Sequence, residues 1–172
     1  MTHDIIARMT PIEYLKICKL AVKQNYDALQ YVLASKMTPI EYFKICVDVV
    51  KDKYNALEHV KANKMTQEEY FYICDLAFQK FGSALEYVPY DLRTFIICMK
   101  AVEYDSYALR FVPKEKMTIK EYLEICKLAV QKYGCALQYV DDERITKTII
   151  QLALINNNDS FKFVPDEFKK YF

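Results

Sequence analysis

The sequence predicts an all-α protein, an α-solenoid of about six helix-turn-helix repeats, and three observations carry that expectation. MTPIEYLKICKLAV at residues 9–22 returns as MTPIEYFKICVDVV at 37–50, nearly the same letters 28 positions later. Apolar residues recur along these stretches at helical spacing, and helix-start signals recur in front of them. Two Gly and five Pro are few for an all-β chain, which needs many turns.

Alignment on Ile-Cys gives the units. Ile17, Ile45, Ile73, Ile97, Ile125 and Ile149 form one column; Cys18, Cys46, Cys74, Cys98, Cys126 and then Ile150 form the next. Downstream come Ala28-Leu29, Ala56-Leu57, Ala84-Leu85, Ala108-Leu109, Ala136-Leu137 and Ser160-Phe161. Each pair is followed by a valine, at Val32, Val60, Val88, Val112, Val140 and Val164. The units run approximately 9–36, 37–64, 65–91, 92–116, 117–144 and 145–164 within a single repeat domain, with 1–8 and 165–172 as terminal caps. Recurrence of this kind identifies a repeat fold.

The first helix of a full unit opens on a capping box. Thr10, Thr38, Thr66 and Thr118 each precede a glutamate by three residues (Glu13, Glu41, Glu69, Glu121), and Pro11 and Pro39 take the first helical position. The second helix, about two turns long, is expected to be capped by Asp27, Asn55, Ser83 and Asp159. Asn25, Gly82, Gly134 and Asn156–Asn158 suit a turn with positive φ ahead of it. Units four and six are four residues shorter between valine and the Ile-Cys column, with Thr94 and Thr146 in the capping place. Four residues are close to one helical turn, so the buried face survives to within about 40°.

On a helical wheel, Ile17, Tyr14, Cys18, Ala21, Val22, Leu15 and Leu20 span an apolar arc of about 220°. A helix wedged between its own partner and the next repeat needs an arc that wide. Six such units would stack into an elongated, curved rod.

The stretches KICKLAVKQNYDALQYV, EICKLAVQKYGCALQYV and CMKAVEYDSYALRFV resemble the short helical repeats of domain-of-unknown-function family 4116, found in giant DNA viruses of amoebae and in some bacteria. The likeness covers residues from about 9 to 164. Its motifs are packing motifs, so the resemblance implies a helical-repeat architecture and no activity. A predominance of Lys over Arg fits a viral, AT-rich source.

Chemistry is sparse. No phosphate-loop or metal-binding motif of the usual kinds is present, and no cofactor is implied. Cysteines on the repeat step, without CxxC spacing, read as buried core thiols of an intracellular protein. His59 stands where other units have Tyr31, Tyr87, Phe111, Tyr139 or Phe163, and reads as a packed aromatic substitute. Tyr14, Tyr42, Tyr70 and Tyr122 read as half-buried rings whose hydroxyls reach water. Net charge is +1, distributed as +3 over 1–64, −3 over 65–112 and +1 over 113–172, which argues against nucleic acid. The row Lys36, Lys64, Lys116 and Arg144 complements helix C-termini. Apolar runs are far short of a membrane span, and the start lacks the apolar core of a signal peptide.

The expected function is therefore non-catalytic: a protein-protein interaction module, scaffold or adaptor, in the cytoplasm (the host's, if viral). The alternative is a structural protein that self-assembles end to end, for example in a virion. The outward arc of the first helices holds Tyr72, Ile96 and Met99 at positions that are mostly lysine in the first two units, and these three residues are the expected partner site. The apolar first unit is a second candidate, for self-association.

Overall fold

The computed structural model describes residues 8–172, and every regular element among them is helical. The chain forms two compact units, one ending at Lys80 and the other beginning at Phe81. The cap expected over 1–8 lies, apart from Arg8, outside the described residues.

The first unit holds α1 (Pro11–Gln24), α2 (Pro39–Asp52) and α3 (Gln67–Lys80). Each starts where its threonine predicts. The Thr10 and Thr38 hydroxyls accept the backbone N–H of Glu13 and Glu41, both at 3.3 Å. Those glutamates take the threonine N–H in return, at 2.9 and 2.8 Å. Thr66 and Glu69 exchange the same pair of bonds, at 2.9 and 3.1 Å. The second unit holds α4 (Phe95–Tyr104), α5 (Ile119–Lys132), α6 (Lys147–Asn156) and the terminal turn α7 (Asp166–Lys169). Helices α4 and α6 have 10 residues where α5 has 14, as the shortened spacing predicts. Thr94 and Thr146 cap them through the N–H of Ile97 and Ile149.

Each repeat's second helix is tighter than expected. It is a six-residue 3-10 helix at Tyr26–Tyr31, Tyr54–His59, Gly82–Tyr87, Ser106–Phe111, Gly134–Tyr139 and Asn158–Phe163. Its caps also lie two residues earlier than expected. Asn25, Asp105 and Asn157 accept the N–H groups of Asp27, Tyr107 and Asp159, while Ser83 turns its hydroxyl to Asp105 at 2.7 Å. The cause is the connection between helices. A single residue in extended conformation (Asn25, φ −145°, ψ 115°) both ends α1 and starts the 3-10 helix, leaving no room for a separate turn.

No residue with positive φ occurs among the described residues, so Gly82 and Gly134 are not turn glycines. Both are buried where a neighbouring repeat presses in. A Cβ on Gly82 would stand 2.4 Å from Asp105 Cβ and 2.8 Å from Ala101 O; one on Gly134 would stand 2.4 Å from Ala153 O.

The core follows the repeat columns. Within the first unit Ile45, Ile73, Cys46, Cys74 and Ala77 are buried; within the second Ile125, Ile149, Cys98, Cys126, Ala101, Ala129 and Ala153 are. Each long α-helix stacks on the next long one inside its unit, and successive 3-10 helices line the other side. The tyrosine column departs from expectation. Tyr14, Tyr42 and Tyr122 are buried, and their hydroxyls accept the backbone N–H of Leu33, Lys61 and Asp141 at 2.8, 2.9 and 3.1 Å. Each ring thus ties the start of the long helix to the residue after the valine, nineteen positions on.

Candidate interaction surfaces

The packing columns consume most apolar side chains, so those left at the surface are the candidates. In the first unit, Tyr72 lies on α3, 50% exposed, with its ring tilted over Phe43 of α2 at 6.1 Å. In the second unit, Ile96 lies on the first turn of α4, 65% exposed, and Met99 one turn on is half-buried. The shortening of α4 therefore does not bury Ile96. Ile96 and Met99 share one helix face; Tyr72 belongs to the other unit.

Helix α1 offers a second surface. Ile17 is 47% exposed and Leu20 54%, whereas Ile45, the same column one repeat later, is 1% exposed. Ile45 is covered because a preceding repeat stacks on it; Ile17 has no such repeat among the described residues. Beside this face, a groove of about 710 Å³ opens between the C-terminal halves of α1 and α2. Val22, Ile45 and Val49 line it, and Lys19, Lys23 and Lys51 stand with Asp48 and Asp52 at its edge.

Other polar groups are engaged in holding repeats together. Lys61 Nζ donates to Val32 O, Arg144 to Lys114 O, and Lys132 to Glu103 O. In the basic row, Lys116 reaches Asp91 Oδ1 at 3.2 Å and lies over the Tyr90 ring. Arg144 lies over the Tyr122 ring. These cations stitch consecutive repeats within a unit, a role that spacing alone did not reveal.

All six cysteines are buried and free. Burial pushes the thiols of Cys46, Cys74, Cys98 and Cys126 up to about 12, which leaves them protonated and unreactive at neutral pH. His59 takes the aromatic place as expected, its ring stacked on Tyr26 with centroids 6.4 Å apart. At the C-terminus, Lys147 Nζ of α6 sits 3.7 Å from the centroid of the Tyr171 ring, which fastens the tail onto α6, and Lys169 pairs with Asp166 inside α7 at 2.6 Å. No helix among the described residues is long and apolar enough to cross a membrane.

Together these features define a helical-repeat protein of 24- and 28-residue units whose apolar columns serve stacking. Residues 72–115 and 122–169 match the family described as Domain of unknown function (DUF4116), more than half of the chain, and the chain belongs to that family. No match is found among curated proteins or among solved structures.

Proposed function

We propose that this protein is a binding module, a helical-repeat scaffold or adaptor that engages a protein partner and carries no catalysis of its own. The supporting observation is Ile96, a large apolar side chain held 65% exposed on α4 beside Met99, at the helix position where the first two repeats carry Lys16 and Lys44. Ile96 and Met99 share one helix face, and adjoining apolar side chains at the surface, unlike single ones, mark partner sites. Tyr72 offers a similar surface in the first unit. Buried, protonated thiols suit action in the reducing cytoplasm, the host's if the source is viral.

The second reading is a structural protein that assembles from its own copies, in a virion for example. It draws on α1, whose Ile17 is exposed on the column that buries Ile45, with Leu20 exposed one turn further on.

One experiment separates the readings. The tagged full chain, an Ile96→Lys/Met99→Lys variant and a Tyr72→Ser variant are used for affinity capture from source or host cells, after circular dichroism shows native helicity. A protein retained by the wild type and lost with a folded variant supports the adaptor. Recovery of self-copies alone, equal in all three, removes the adaptor and favours assembly.

A further inference from the structure

One cluster of ionisable side chains spans the first two repeats. Asp27, in the first repeat's 3-10 helix, meets Glu58 and His59 at the end of the second repeat's. His59 Nε2 stands 3.3 Å from Asp27 Oδ1 and 3.5 Å from Glu58 Oε1, and the three donor atoms all lie within 4.8 Å of one another. The ring does not reach this position by chance rotation. Tyr26 stacks on its face, and Asn55 Nδ2 donates to the Tyr26 hydroxyl at 2.7 Å. Asp27 is fixed in turn, its N–H bonded to Asn25 Oδ1 at 3.0 Å and its carbonyl to the Gln30 amide at 2.9 Å.

We propose that Asp27, Glu58 and His59 bind a divalent first-row transition ion, with zinc the best fit, as a clasp between the first two repeats. Two carboxylates converge on one imidazole nitrogen, which carries at most one proton and can serve at most one of them. Both distances exceed the roughly 2.7–2.9 Å of a charge-assisted hydrogen bond. They match instead the edge of a tetrahedral site, about 3.3 Å between ligands when each bond is about 2.0–2.1 Å. The half-exposed Glu58 needs only a side-chain rotation to complete the set. A doubly charged ion neutralises both carboxylates at once, and a mixed nitrogen and oxygen donor set suits zinc over magnesium or calcium, which prefer oxygen throughout. Three protein ligands leave a coordination position facing solvent, open to water or to an acidic group of a partner. The sequence pattern agrees: the position of His59 is Tyr or Phe in every other repeat, and the exception coincides with an aspartate at the facing position of the repeat before.

The test is calorimetric titration of zinc into the chelator-treated full chain, beside His59→Phe and Asp27→Asn variants. Each variant installs a residue that another repeat already carries at that position, Phe111 and Asn55, so the fold has a precedent. The expected result is one ion per chain, with affinity reduced about tenfold or more in both variants. Cobalt should give a ligand-field spectrum with no thiolate charge-transfer band. Imidazole NMR of the wild type, which needs no variant, should show zinc moving the His59 resonances. Absence of binding, equal binding by folded variants, a thiolate band, or zinc shifts confined to His3 would each overturn the proposal.

Discussion

At the residue scale, small residues are set by neighbours in space, and the glycines show it most sharply. A buried glycine without positive φ ordinarily gains about 0.4–1 kcal/mol on becoming alanine, because the unfolded chain loses freedom. Gly134 reverses that sign. Its added Cβ would meet Ala153 O at 2.4 Å and Ser160 Oγ at 2.7 Å, and the first of these is backbone that cannot rotate away. Gly134→Ala should therefore destabilise the protein by about 1–3 kcal/mol, the usual range for overpacking. Urea unfolding read by circular dichroism would check it, and an unchanged or raised midpoint would contradict the packing assigned to that glycine. The sequence marks Gly82 and Gly134 as special but points to a turn, since the atoms that forbid a side chain lie some twenty residues away. The same blindness hid the tyrosine hydroxyls. The column was legible, but its bond to an N–H nineteen positions on depends on how the chain folds back. His59 was legible as an interruption of an aromatic column, and the Asp27 that faces it became visible only when the repeats were stacked.

At the element scale, the long helices were almost wholly legible, because their information is local. A threonine, a glutamate three residues later and a period of 3.6 fix the start and face of α1, α2 and α5 before any neighbour is known. The second helix was harder. Six residues with weak periodicity suit an α-turn or a 3-10 turn equally, and the choice falls to the single extended residue that joins the two helices. The capping boxes also make stability depend on pH. Hydrogen bonds from the backbone and hydroxyl of the capping threonine hold the carboxyls of Glu13, Glu41 and Glu121 below their ordinary value of 4.5. A carboxyl depressed in the folded state adds stability above the unfolded value, and that contribution disappears as pH falls through the folded one. Thermal melting temperature should therefore drop as pH is lowered from about 5 through 4 and below. A Glu13→Gln/Glu41→Gln/Glu121→Gln variant should begin lower and follow a shallower curve. Parallel curves for the two proteins would show that these carboxyls contribute no pH dependence.

At the scale of the whole molecule, the repeat places the same titratable group in the same kind of interior several times over, so a weak local effect becomes a collective one. Burial lifts the thiols of Cys46, Cys74, Cys98 and Cys126 from 9.0 to about 12. Burial likewise raises the Tyr14, Tyr42 and Tyr122 hydroxyls above their ordinary 10.0. For an acid raised by folding, the stabilising contribution is complete below the unfolded value and is lost as pH climbs towards the folded one. Each thiol that stays protonated while its unfolded counterpart ionises loses about 1.4 kcal/mol per pH unit above 9. Four thiols acting together should exhaust a marginal stability of about 5–15 kcal/mol within roughly one to three pH units. The expected outcome is a cooperative alkaline unfolding with its midpoint near pH 10–12, by that reckoning. At pH 8 the native protein should show almost no thiol reactive to a disulfide reagent, and all six should react once urea is added. Reaction in the native state should then track the unfolded population, because the thiols share one interior pattern and open with it. Rapid modification of one or two thiols in folded protein at pH 8 would contradict this, and would mark a repeat that opens independently of its neighbours.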